Sequence, residues 1–485
     1  MDISLQKRFG WRPRAVLVGM GTLGCCLLAN LEHANVSSAN VPTAGNNCQE
    51  SGGKISGRGS TLQSVLQEVL AKAYRDDYCG VTGTEGKTGE AGSTMVAYNY
   101  PAAEAVEKGT GSGAGIKAAS CRTDAFAGTD TPYTEVNLKE LDGAIGATGG
   151  CKLAFDPPFE PQAPGDEYPN TADIQANVMS FPVAGSSVAL AANLTGACTN
   201  GTPTSLEFTA QEVSRIFGGD AKNWEDSELE SNNPELSTDD CTGEITRVVR
   251  EDSSGTTNIF KEYLINAANS RPGTATCDVG KKWSEYFTTN TEWPGKAPES
   301  ATGCTPIITS AKSGNPALLE LLHKTDGGIG YADLPQEAES STGLVTASVE
   351  SSTGTGSYQT PNKAKGANCN FNSLSLPGLT ANEAVGLSTS ENWANNNPVN
   401  HGNPTDLGSA YPICGLTWDL VYTGLSNGSA PNPIAPLTTA QRRTLYSYMT
   451  FILSSTAQNL LSSHDYAPLP SGWLVTLTNG FQANF

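Results

Sequence analysis

The chain has 485 residues, enough for two or more domains with complete hydrophobic cores. Hydrophobic residues make up 38% and charged residues 16%, with 52 Gly and 28 Pro, a balance that fits a loop-rich globular protein and not a disordered one. Acidic residues outnumber basic ones 49 to 29, for a formal charge of −20, which argues against DNA, RNA or anionic lipid as partner and leaves any attraction for an anion to local groups.

Residues 1–50 read as an export signal and spacer. Lys7, Arg8, Arg12 and Arg14 precede an apolar run from Ala15 to Ala29 that is short and Gly-interrupted for a membrane span. An uncleaved signal anchor is the lesser alternative. Thr22-Leu23-Gly24-Cys25 has a slight likeness to a lipoprotein box, so the expected location is periplasmic or cell-surface, with lipid anchoring at Cys25 or Cys26 left open. Ten of the 12 cysteines follow the apolar run, none in a C-x-x-C pair, and the chain has only four His. That disfavours a zinc site and implies disulfides, whose pairing the sequence leaves open.

A short strand is expected from residue 54, turning through Gly57-Arg58-Gly59 into a helix whose buried face carries Leu62, Val65, Leu66, Val69, Leu70 and Ala73. Residues 79–95 read as a loop, Thr94–Tyr100 as a strand, and the Pro-rich stretch 143–175 as an insertion. From Val178 the pattern turns to strand, and a crossing between domains is expected there. Thr209 and Glu212 form a capping box for a helix stopped by Gly218-Gly219. Glu244–Arg250 reads as a buried strand, followed by a helix carrying Ile259, Phe260, Tyr263 and Leu264. A Leu-rich helix at 318–322 is expected to end at Gly327-Gly328. A loop-rich stretch covers 335–410, Leu416–Tyr422 reads as a strand, and Thr438 with Gln441 starts what reads as the final long helix. Strands alternating with helices argue for an α/β fold.

Three Gly/Ser/Thr clusters stand where helices begin: Gly59-Ser60-Thr61-Leu62, Gly111-Ser112-Gly113-Ala114-Gly115 and Ser253-Ser254-Gly255-Thr256-Thr257. Helix N-termini present unpaired N–H groups and the positive end of the helix dipole, so several together make an anion site. Any one alone is more simply an ordinary N-cap. Arg250 ends a strand four residues before Ser254, so its guanidinium fork and that N-terminus can face one spot. Asp130 would repel an anion unless the ligand keeps a proton for it to accept, as monoprotonated phosphate does and sulfate does not; the plain alternative is a turn residue before Pro132. Gly86-Lys87-Thr88 lacks the glycine and the strand–helix context of a nucleotide-binding loop. His323 and His464 read as capping or packing residues.

Taken together, GxGST with its helix, GSGAG, Ala125–Thr134 (AFAGTDTPYT) and Arg247–Leu264 (RVVREDSSGTTNIFKEYL) resemble the exported phosphate-binding proteins of bacterial phosphate ABC importers. The likeness continues through Phe217–Trp224, Gly327–Tyr331 and His464–Pro470. It implies a two-lobed, periplasmic-binding-protein-like (type II) fold, with hinged domains and a ligand cleft between them. The implied lobes are 51–182, then 183–326, then a return over 327–485 that carries the 335–410 loop. The implied phosphate ligands are Thr61, Leu62, Ser112, Asp130, Arg250, Ser254, Gly255 and Thr256, with Asp252 orienting the arginine. The implied role is non-catalytic: a monomer takes up inorganic phosphate and hands it to ABC permease subunits, with no cofactor, metal or nucleic acid.

The chain departs from the family in several places. The aromatic after the first Thr is Leu62, and the prolines that follow it are Gln63 and Ser64. The loops at 143–175 and 335–410 are long and the cysteines many. Other readings are another tetrahedral oxyanion (arsenate, sulfate or molybdate), a surface or scavenging protein of the same fold, and, ranked lower, an exported phosphatase using Ser254 or Thr256.

Overall fold

A computed structural model describes residues 53–79, 96–99, 110–121, 124–131, 178–267, 282–286, 293, 309–351, 355–362, 366–371, 409–422 and 437–484. The chain divides after Val41, and every described residue falls in the unit Pro42–Phe485. The export signal and spacer, most of the 79–95 loop, the 143–175 insertion, Gly86-Lys87-Thr88, and residues 372–408 of the long loop lie outside the described residues.

The strands are Ile55–Gly59 (β1), Val96–Tyr98 (β2), Phe126–Thr129 (β3), Val178–Asn193 (β4), Leu206–Phe208 (β5), Thr246–Arg250 (β6), Thr309–Lys312 (β7), Gly328–Asp333 (β8), Val345–Glu350 (β9), Tyr358–Gln359 (β10) and Cys414–Tyr422 (β11). The helices that carry the argument are Gln63–Ala73 (α1), Ser112–Cys121 (α2), Ala210–Gly218 (α3), Gly255–Ala267 (α4), Asn315–His323 (α5), Leu334–Ser340 (α6), Thr439–Ile452 (α7), Ser455–Leu461 (α8) and Ser471–Asn484 (α9). The strand order is β2-β1-β3-β11-β4-β8-β6-β7, with β9 joining β4, β5 and β10. β4 organises this sheet. Val178–Ser187, apart from Val183, pair antiparallel with β11, and Val188–Asn193 pair antiparallel with β8. One strand thus runs through two sheets, a parallel β2-β1-β3 group on one side and a parallel β8-β6-β7 group on the other.

The β4–β11 register slips at Thr417/Trp418, where Thr417 faces Ala184 and Trp418 faces Pro182. Val183 is the extra residue. Pro182 has no N–H to give to the ladder, so a bulge is the natural accommodation, and bulges re-aim side chains. The Val183 carbonyl freed by the slip accepts from Gln458 Nε2 at 2.9 Å.

The expected boundaries are met where local chemistry sets them. Thr209 and Glu212 form a reciprocal capping box, and Gly219 closes α3 in the left-handed conformation at φ 86°. Thr438 and Gln441 cap α7 in the same way. Other expectations need correction. The Leu-rich helix α5 ends at His323, not at Gly327, because Asn193 Nδ2 on β4 donates to the carbonyls of Leu322 and His323. This engagement also buries Asn193, which sits in a glycosylation sequon. The stretch 335–410 is not all loop: α6 and β9 occupy its start, Pro335 taking the first turn of α6 and β9 alternating buried and half-buried residues through Val-Thr-Ala-Ser-Val. Nor is α7 the last helix, since α8 and α9 follow, and α9 buries Leu477 and Phe481.

Disulfides join Cys198 to Cys241 and Cys369 to Cys414. No helix among the described residues is long and apolar enough to cross a membrane.

Arg247 on β6 is buried, and its guanidinium donates to the carbonyls of Ile216, Ala221 and Ile245 at 2.5–2.7 Å. The Ile216 carbonyl lies in the last turn of α3, where a cation is favoured. Replacing Arg247 with Ala leaves buried carbonyls unpaired and should lower unfolding stability by roughly 3 kcal/mol. Urea denaturation would show this as a lower midpoint at unchanged slope.

Candidate functional site

The three glycine–serine clusters meet at Asp130. Gly59, the last residue of β1, stands at φ 141°, and a Cβ there would lie 2.0 Å from the Gly128 carbonyl, so a side chain cannot be accommodated. This close approach lets Ser60 Oγ reach both Asp130 oxygens, at 2.7 and 2.6 Å. From the second cluster, Ser112 Oγ contacts Asp130 Oδ2 at 3.3 Å and accepts from Asp130 N at 2.9 Å. From the third, Gly255 N donates to the same Ser112 Oγ at 3.1 Å. A Cβ on Gly255 would lie 2.3 Å from Ser112 Oγ and 2.5 Å from Asp130 Cβ, so only glycine fits between the two elements.

Arg250, at the end of β6, is 1% exposed. Its Nε and Nη2 grip Asp252 bidentately, at 2.6 and 2.5 Å. Nη1 donates to Asn315 Oδ1 at 2.5 Å and to Thr61 Oγ1 at 3.3 Å. The arginine therefore ties the first cluster to the third, with Asp252 fixing its plane.

All nine residues expected from sequence come together, in differing states. Thr61 contacts Arg250, and its carbonyl accepts from Gln336 Nε2 at 2.7 Å. Leu62 N, expected to face an anion, donates instead to Ser60 Oγ at 3.0 Å, and the Leu62 side chain is buried in the core. Ser254 Oγ accepts from Thr257 N at 3.2 Å, the ordinary capping role, and Thr256 Oγ1 accepts from Asn315 Nδ2 at 3.3 Å. Ser112, Asp130, Arg250, Asp252 and Gly255 hold the positions just described.

Sequence reasoning missed several members. Ser313-Gly314-Asn315 before α5 is a fourth cluster of the same kind: Gly314, at φ 80°, donates its N–H to Asp252 Oδ1 at 3.2 Å, and Asn315 bridges Arg250 to Asp333 on β8. Its Ser-Gly-Asn-Pro pattern ahead of a leucine helix was a readable signal. Thr417 Oγ1, 2.7 Å from Asp130 Oδ1, had none, because the β4–β11 bulge brings it there.

Burial is the main electrostatic fact. It pushes the Asp130 carboxyl up, against hydrogen bonds from Ser60, Thr417 and Ser112 and the positive charge of Arg250. Asp333, also fully buried, is pushed up to about 8 by desolvation, opposed by Asn315 and Arg250 and reinforced by the Asp130 charge. Its Oδ2 has no hydrogen-bond partner. Among the described residues no group of His, Cys, Asp and Glu is arranged to hold a metal. Chemically, the arrangement offers hydroxyls, backbone N–H groups and one arginine to an anion, and one carboxylate to a proton on it.

A two-lobed α/β fold with clusters of helix N-termini at its interior is the architecture of periplasmic binding proteins. Residues 44–376 match the PBP superfamily domain, and the chain belongs to that superfamily. Among solved structures it is similar to a phosphate-binding protein from Stenotrophomonas maltophilia, at 18% identity and TM-score 0.50, over 88% of this chain and 93% of that one. It is likewise similar to PfluDING, a high-affinity periplasmic phosphate-binding protein solved with phosphate, at 18% identity and TM-score 0.50, over 87% and 92% of the two chains. A human phosphate-binding apolipoprotein matches at 18% identity and TM-score 0.50, over 87% and 93%. No curated protein matches the chain.

The raised carboxyls set a direction for stability against pH. A carboxyl whose folded value lies above its unfolded one near 3.8 contributes stability that is full below that value and lost as pH rises through the folded value. The ligand-free protein should therefore lose stability between about pH 4 and 8. Asp333→Asn, which keeps an acceptor for Asn315, should flatten that slope. Thermal unfolding across this range measures it, and an unchanged slope would show that Asp333 does not titrate there.

Proposed function

We propose that the chain binds inorganic phosphate outside the cytoplasmic membrane and delivers it to an ABC permease, without catalysing a reaction. The observation that carries this reading is the convergence of three helix N-termini on a buried carboxylate, Asp130, with a fourth N-terminus gathered around Arg250 beside it. Thr61, Leu62, Ser112, Ser254, Gly255 and Thr256 would line the anion with hydroxyl and N–H groups, Leu62 N and Gly255 N turning to it from the Ser60 and Ser112 hydroxyls they engage in the free protein, while Arg250 supplies the positive charge and Asp252 its orientation. Asp130 would accept the proton that phosphate keeps. Burying the anion in a fully hydrogen-bonded cage offsets its desolvation. The names of the structural neighbours, which are phosphate-binding proteins, support the ligand class. Arsenate carries the same proton and geometry and belongs to the same reading.

Ligand entry requires the lobes to part, and β4, shared by both sheets, is the natural hinge. The pairing of β8 and β9 with β4 leads us to extend the second lobe to Glu350, beyond the 326 boundary read from sequence. Export by residues 1–50 and action as a monomer complete the proposal.

Titrating phosphate into the phosphate-stripped protein, followed by tryptophan fluorescence with sulfate at equal ionic strength, tests the reading. Trp418 adjoins Thr417, which touches Asp130, so a response is expected. Phosphate should bind and sulfate should not. Arg250→Ala should weaken binding by about 2–5 kcal/mol, roughly 30-fold or more. Asp130→Asn should narrow the gap between the two anions. Equal responses to phosphate and sulfate in the unaltered protein, or full affinity in Arg250→Ala, would sink the assignment.

A further inference from the structure

Each hydroxyl that touches Asp130 also receives an N–H. Ser60 Oγ accepts from Leu62 N, and Ser112 Oγ accepts from Gly255 N and Asp130 N. A hydroxyl has one hydrogen, so once its oxygen is occupied as an acceptor, that hydrogen is directed to the remaining partner, here the carboxylate. For the third hydroxyl, Thr417, the N–H comes not from backbone but from a side chain, Gln63, and of the two acceptors in its reach Asp130 Oδ1 at 2.7 Å is much nearer than the Thr129 carbonyl at 3.4 Å.

Gln63 Nε2 donates to Thr417 Oγ1 and to the Trp418 carbonyl, both at 2.8 Å. That carbonyl cannot donate, so the Gln63 amide is fixed with its nitrogen toward the bulge. Its Oε1 then accepts from Gln67 Nε2 at 3.0 Å, and Gln67 Oε1 accepts from the Tyr448 hydroxyl at 2.7 Å. The result is a one-way chain, Tyr448 to Gln67 to Gln63 to Thr417 to Asp130 Oδ1, whose last link is 2.7 Å. Gln63, Gln67, Thr417 and Tyr448 are all fully buried. Gly128 makes the room, since a Cβ there would lie 2.4 Å from Gln63 Oε1. Hydrogen bonds aligned in one sense polarise one another, and burial strengthens them.

We propose that Gln63 and Gln67 are positioning residues that aim the Thr417 hydroxyl at Asp130, keep Asp130 a carboxylate, and so set how strictly the site demands a protonated anion. This rests on the phosphate reading for the ligand alone; the relay itself concerns the free protein. A carboxylate already holding three donated hydrogens has acceptor capacity left for the proton of a ligand. A neutral Asp130 could instead donate to sulfate, and the discrimination would fail. The other charged or titratable groups acting on Asp130 are Arg250, Asp333, Tyr98 and Tyr466, and Asp419 sits at the side of the chain, 3.3 Å from Gln67 Nε2.

The test uses the full chain with carbon-13 at its aspartate carboxyls, Asp130→Asn serving to assign the Asp130 resonance. Gln63→Leu should raise the pH at which Asp130 titrates by about one unit, the size of one lost hydrogen bond to a charged group. Gln67→Leu should raise it less. Tyr448→Phe, which keeps the ring and removes only the last hydroxyl, should raise it least and guards against a folding defect in the glutamine variants. In anion titrations, Gln63→Leu should lower the phosphate-to-sulfate ratio, most of all at acid pH. An Asp130 titration identical in all variants, or a phosphate loss that is the same at every pH, would reduce the glutamines to packing and overturn the relay. A wild-type protein that ignores phosphate while Gln63→Leu still shifts Asp130 would overturn the ligand assignment and support the relay.

Discussion

Asp130 is a carboxylate with 3% exposure, and the surrounding structure is arranged around the cost of that burial. An ionised carboxyl taken out of water needs its lone pairs filled. Here Ser60, Ser112 and Thr417 fill them, one from each of three segments widely spaced along the chain. Those three segments are thereby brought to one place. The glycines follow from the same demand: Gly59 and Gly255 lie where a Cβ would push apart the elements that Asp130 draws together.

Arg250 plays the complementary part. It does not pair directly with Asp130; its fork is taken by Asp252, and its third edge by Asn315 and Thr61. Keeping the two charges apart leaves each with unspent interaction strength between them, where a polar anion with one proton would complement both. A direct ion pair would have closed the site on itself. Asp252 prevents this by satisfying the guanidinium from behind, and the Gly314 N–H in turn steadies Asp252.

What the sequence made legible follows from how local each signal was. The capping boxes at Thr209 and Thr438 need four consecutive positions, and both stand as read. The clusters around Ser60, Ser112 and Gly255 were legible for the same reason, and Arg250 because it sits within five residues of one of them. Thr417 was not, because a slip in register opposite Pro182 decides its direction, and that lies more than two hundred residues away. Gln63 was visible only as a departure from the resembled family, a side chain with donors where a proline would have none. Asp333 closes a strand, β8, of which only Gly327–Tyr331 was singled out, as a stretch like the resembled family and not as a strand. The 335–410 stretch was misread because its Ser and Thr content hid β9, whose alternation is carried by Val345, Ala347 and Val349.

The charge balance explains how so acidic a chain could hold the anion proposed for it. Each helix N-terminus is worth about half a positive charge, so α1, α2, α4 and α5 bring roughly two. Arg250 and Asp252 cancel, and Asp130 subtracts one, leaving the interior about one charge positive. That margin holds only while Asp333 is neutral. Desolvation and the Asp130 charge both favour its neutral form, pushing it up to about 8. Asn315, which links Asp333 to Arg250, is thus placed between a carboxyl whose ionisation would erase the margin and the arginine that Asp252 neutralises. The local field, and not the −20 of the whole chain, decides the sign of what fits inside.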